Sequence, residues 1–105
     1  MITVTLQYFD GCPNWQTGHE RLQEAIWRVG RDLFVIEAHR IASHDHAVAE
    51  RFPGSPTFHI QGRDLFADPA APFGVACRLY STPQGLAGAP TVEQLVHVLE
   101  WALID

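Results

Sequence analysis

The stretch Ile2-Thr3-Val4-Thr5-Leu6-Gln7-Tyr8-Phe9-Asp10-Gly11-Cys12-Pro13-Asn14-Trp15 decides the fold. Its first eight residues alternate with period two and are rich in β-branched and aromatic side chains, which predicts a strand over 2–9. Asp10-Gly11 breaks the run. Pro13 lacks an N–H, and the first helical position has no acceptor for one, so Pro13 suits a helix start. Trp15, Leu22, Ala25, Ile26 and Val29 then recur at helical spacing and predict a helix from about Pro13 to Val29, with Gly30 as its stop. A thiol, Cys12, therefore stands where a strand turns into a helix.

Working outward, Leu33-Phe34-Val35-Ile36-Glu37-Ala38 is short and almost continuously apolar, the pattern of a strand covered on both faces and parallel to the first. Ser43 can accept first-turn N–H groups, and Asp45 favours the positive helix end, so a short helix runs through about Arg51. Pro53-Gly54 ends it. Residues 57–61 and 63–66, joined at Gly62, read as a hairpin. Thr91 and Gln94 form a capping box ahead of a last helix with an apolar stripe of Val92, Leu95, Val96, Leu99, Ala102 and Leu103. Residues 67–90, rich in Pro, Gly and Ala, read as a long loop. The order βαβαββα predicts one α/β domain over residues 1–105, with a mixed four-stranded sheet and helices on both faces.

Composition removes several function classes. At 105 residues, 47% hydrophobic and 18% charged, the chain has room for one core. A net charge of −5 supplies no positive field for a phosphate backbone, so nucleic acid is not an expected partner. No apolar run approaches the roughly 20 residues that span a bilayer, and Met1-Ile2-Thr3-Val4 resembles no leader peptide, so a cytoplasmic location without membrane contact is expected. In that reducing compartment the two cysteines, Cys12 and Cys77, are expected to be reactive, transient or simply buried.

The element order, a Cys in Gly11-Cys12-Pro13-Asn14-Trp15 at the strand-helix junction, and Ser55-Pro56-Thr57 ahead of the third strand together resemble the thioredoxin-like superfamily. The resemblance covers most of the chain and departs at Trp15, where dithiol members carry a second Cys. Gly-Cys-Pro-x-Trp, Ser-Pro-Thr and the later Cys77-Arg78-Leu79-Tyr80 also resemble small bacterial thioredoxin-like proteins sometimes labelled alkylmercury lyase-like. The resemblance implies a cis Ser55-Pro56 bond facing the thiol, with the Ser55 backbone exposed to pair with a substrate strand. Without it, Pro56 reads as an ordinary trans turn.

A helix N-terminus carries about half a positive charge and unpaired N–H groups, which favour a thiolate at Cys12. The Asp10 charge, two residues away, opposes this if it points at the sulfur. The alternative is a small buried Cys12 closing the sheet end. The returning hairpin leaves Phe66 near Cys12, and the eleven residues to Cys77 reach about 35 Å, so the loop can present Cys77 to Cys12; a purely structural Cys77 is the alternative. Arg78 can lower the Cys77 pKa or hold an anionic group, or be an ordinary exposed loop residue. Trp15 can shield the sulfur or pack in the core. The His44-Asp45-His46 cluster has poor ligand spacing on a helix, so no metal ligand is nominated and no cofactor is implied.

Three functions follow. In the first, a thioredoxin-like thiol protein, Cys12 attacks a disulfide, peroxide or other soft electrophile, Pro56 faces it and Cys77 can resolve the adduct. In this reading Cys12 alkylates faster than Cys77, and mild oxidation links the two. The second is carbon–mercury cleavage or mercury binding by the thiol pair, with Asp10 as acid. The third is a non-catalytic binding module with unreactive cysteines. Oligomeric state is not readable from the sequence.

Overall fold

The computed structural model describes residues 1–104 and begins with β1 (Ile2–Tyr8), which becomes the second strand of a four-stranded sheet. After α1 (Asn14–Gly30), β2 (Phe34–Arg40) returns parallel to β1, pairing Ile2 with Phe34 through Tyr8 with Arg40. The short α2 (His44–Ala49) follows, with the Ser43 hydroxyl accepting from the His46 N–H at its start. Next, β3 (Thr57–Ile60) lies antiparallel on the other side of β1, and β4 (Arg63–Asp64) closes the sheet in the order β2-β1-β3-β4. Gln61 and Gly62 both have positive φ (53° and 76°), the pairing of a two-residue primed turn.

Alternation along the strands separates the faces. Val4, Leu6, Phe34 and Phe58 point to one face and pack against Leu22, Ala25 and Ile26 of α1 and Leu95 and Leu99 of α3 (Val92–Ala102). The capping box holds as expected: Gln94 N donates to Thr91 Oγ1 and Thr91 N to Gln94 Oε1. On the opposite face, Phe9, Ile41, Ala47 and Phe52 form a second, smaller cluster that seats α2 near one end. On that face β2 is open, which corrects its doubly covered reading: Val35 is 43% exposed and Glu37 is exposed. A strand at the sheet edge with a single apolar face can carry the same residue run as a fully covered one.

The expected loop over 67–90 is partly ordered by hydrogen bonds. Tyr80–Thr82 (β5) and Gly85–Ala87 (β6) form a separate antiparallel hairpin, and Ser55 and Cys77 form an isolated parallel bridge. Both strands of the hairpin are three residues long, too short to show periodicity.

Candidate functional site

The Ser55-Pro56 peptide is cis, as the resemblance implied, and it sits against the first helix. Gly18 makes that approach possible, because a Cβ there would lie 3.0 Å from Pro56 Cγ and 3.2 Å from Phe58 Cζ. Tyr80 buttresses the bend from the core, its hydroxyl donating to the Pro56 carbonyl. Burial raises the Tyr80 pKa, so the hydroxyl keeps its proton and remains a donor.

Cys12 lies one residue before Pro13, which caps α1 by position without any side-chain hydrogen bond, so the helix proper starts at Asn14. The Cys12 N–H donates to the Phe9 carbonyl at 3.2 Å, which fixes the turn, and the Cys12 sulfur lies 3.5 Å from the Ser55 carbonyl oxygen. Its side chain is fully buried.

Cys77 reaches the same place from the other direction. Ser55 N donates to Ala76 O at 2.8 Å and Arg78 N donates to Ser55 O at 2.9 Å. Gly54 allows this close pairing: it has φ +121°, and a Cβ on it would sit 3.0 Å from Arg78 Cβ and 3.2 Å from Ala76 O. The two cysteine Cα atoms end 5.6 Å apart, within the range a disulfide requires, with the sulfurs at bonding distance. The approach of Cys77 to Cys12, which the topology allowed and the sequence left open, is therefore present. The exposures are the reverse of the assigned roles, since Cys77 is exposed and Cys12 is not.

Arg78 is the residue whose function the sequence reading missed. Only 6% exposed, it is neither a free loop cation nor a binding group for a substrate anion. Its guanidinium donates to Asp64 Oδ2 at 2.8 Å, to Thr57 Oγ1 at 3.2 Å and to the Phe66 carbonyl, and lies 4.7 Å over the Tyr80 ring. A nearly buried charge held this way is a clamp between the Cys77 segment and the β3–β4 hairpin. Asp10 is also committed elsewhere: its carboxylate accepts from Arg40 Nε at 2.7 Å, across the β1–β2 pair. Trp15 stacks on Tyr8 with ring centroids 4.1 Å apart and packs against the main core, so the packing alternative describes it.

Two concavities bear on ligands. A groove of about 370 Å³ beside Cys77 is lined by Pro53, Asp68, Pro72, Phe73 and Leu79 among others. A larger one of about 640 Å³ lies between α3 and the β3–β4 hairpin, touching neither cysteine. Among the histidines, the fold brings His39 of β2 to His46 and Glu50, with one donor atom of each within 4.8 Å of the others. His46 Nδ1 accepts the Ala42 N–H at 3.0 Å, however, which leaves the neutral ring's proton on Nε2, the nitrogen that faces Glu50. Metal ligation needs that nitrogen bare and the other one protonated, so the trio fits a helix-start cluster better than a metal site. His39 escaped notice because it is separated from α2 by a turn whose direction the sequence does not show. Comparison of the chain with family models, curated proteins and solved structures found no match.

Proposed function

We propose that this chain is a thioredoxin-like thiol protein whose Cys12–Cys77 pair cycles between dithiol and disulfide, exchanging two electrons and two protons with a thiol or disulfide partner in the cytoplasm. The supporting observation is the 5.6 Å Cα separation of a fully buried thiol at a helix start and an exposed one on the segment bridged to Ser55. In the oxidised form a partner thiolate attacks the sulfur of Cys77, the more exposed of the two residues. The S–S bond breaks, and its electron pair leaves on Cys12, where first-turn N–H groups and the helix dipole favour the thiolate. In the reverse direction, Cys12 is the resolving thiolate that attacks a mixed disulfide on Cys77.

This assigns the two cysteines the opposite roles to those expected from the sequence. Carbon–mercury cleavage has less support, because its proposed acid, Asp10, is bonded to Arg40. The test combines mild oxidation with alkylation. Oxidised monomer should yield a cross-linked Cys12–Cys77 peptide pair lighter by two hydrogens, and after reduction iodoacetamide should label Cys77 well before Cys12. A chain that resists both oxidation and reduction is a structural or binding module instead.

A further inference from the structure

The bridge to Ser55 has a geometric consequence for any partner. In a strand, the N–H and C=O of one residue point to the same side, and those of its neighbours point to the other. Ala76 O and Arg78 N are both used on Ser55, so the N–H and C=O of Cys77 face outward, and neither has a hydrogen-bond partner among the described residues. The Ser55 backbone, which the resemblance offers to a substrate strand, is already occupied by this chain. The open edge lies one strand farther out, on the reactive residue itself.

Resting on the thiol-exchange reading, we infer that the electron donor is a protein dithiol presented on an extended segment with apolar residues around its cysteine, docking on the outer edge of Cys77. A segment residue that exchanges both hydrogen bonds with Cys77 in antiparallel sense lies at about 5.5 Å Cα separation, inside the disulfide range. The groove beside Cys77 accepts the neighbouring side chains. Phe73 and Leu79, 42% and 65% exposed, supply apolar surface there. Charge argues against a small anionic thiol such as glutathione. The ionised side chains lining the groove are Asp68 and Arg78, and Arg78 is spent on Asp64. Arg51 lies over the Phe73 ring at 5.6 Å and is not part of the lining.

The reaction balances without another reagent. The partner's first thiolate bonds to Cys77 sulfur, and the Cys12 thiolate leaves and takes a proton. The partner's second thiolate then attacks its own sulfur in the mixed disulfide, releasing the Cys77 thiolate. The partner dithiol is oxidised by two electrons, and the Cys12–Cys77 disulfide is reduced by two.

The experiment uses the oxidised full chain and three reductants compared at equal thiolate concentration: dithiothreitol, glutathione, and a synthetic dithiol peptide with Val and Leu flanking its first cysteine. The peptide should open the disulfide at least tenfold faster than glutathione. N-methylation of that cysteine, which removes its backbone donor, should cancel most of the advantage. Leu79→Asn and Phe73→Ser, both at exposed positions and neutral, should slow the peptide about tenfold more than they slow dithiothreitol. Equal rates for peptide and glutathione, or variants that slow every reductant alike, would overturn the docking inference. Failure of dithiothreitol itself to produce two free thiols would instead overturn the thiol-exchange reading beneath it.

Discussion

Opening the Cys12–Cys77 link with a reductant returns to the unfolded chain the freedom of a loop spanning 65 residues. The chain-entropy relation puts the stabilisation lost at about 4 kcal/mol. With a urea slope of about 1.5 kcal/mol/M for a domain of this size, the unfolding midpoint should fall by about 3 M. Because the cycle closes, whatever the link adds to folding, folding adds to the link. The folded pair should therefore be about 90 mV more reducing than the same pair in the unfolded chain. Urea titrations followed by far-ultraviolet circular dichroism, with and without tris(2-carboxyethyl)phosphine, measure the first quantity. The double variant Cys12→Ser/Cys77→Ser should behave as the reduced protein in both conditions. Equilibration with glutathione buffers, in and out of denaturant, measures the second. A stability difference below about 1 kcal/mol, or equal potentials folded and unfolded, would refute the reasoning.

Two further outcomes follow from the clamp and the sheet. Arg78→Met removes the countercharge of a mostly buried Asp64 and should cost about 3 kcal/mol in urea unfolding, while Arg78→Met/Asp64→Leu should recover a good part of it; recovery of nothing would mean the cost lies in lost packing over Tyr80. Burial holds the His59 pKa below its usual 6.5, with Asp64 and Glu50 opposing and Arg78 assisting. The unfolded chain therefore takes up this proton first, so the His59 contribution is intact above about pH 6.5 and declines as pH falls below it. His59→Gln should flatten the stability profile in that acidic window, and an unchanged slope would show that another group sets it.

Much of the fold is readable because local chemistry and tertiary structure agree. The Asp10–Pro13 break, the Thr91/Gln94 box and the Gly62 turn each satisfy backbone groups locally, and each appears where the residues predict it. The β4 strand is shorter than expected, ending at Asp64, while Leu65 and Phe66 pack against the core. What stayed hidden depends on distant partners. Burial of the Arg78 guanidinium is meaningful only once Asp64 is known to lie beside it, and the two are 14 residues apart. Which of two thiols faces solvent is set by how the 76–78 segment lands on Ser55, a contact carried by backbone atoms and by the missing Cβ of Gly54. Neither leaves a pattern in side-chain hydrophobicity.

The position of β1 inside the sheet has a consequence for synthesis on the ribosome. This strand is made before both of its neighbours, and its second partner is complete only at Ile60. At roughly 5 to 20 residues per second, the gap between Tyr8 and Ile60 lasts about 3 to 10 s. Leu95 and Leu99, which cover the same core, emerge later still. Until Arg40 is made β1 has no partner on either edge, and until Ile60 is made the edge that β3 will fill stays open. The core side chains of Val4 and Leu6 therefore stay uncovered until the later strands and α3 are made.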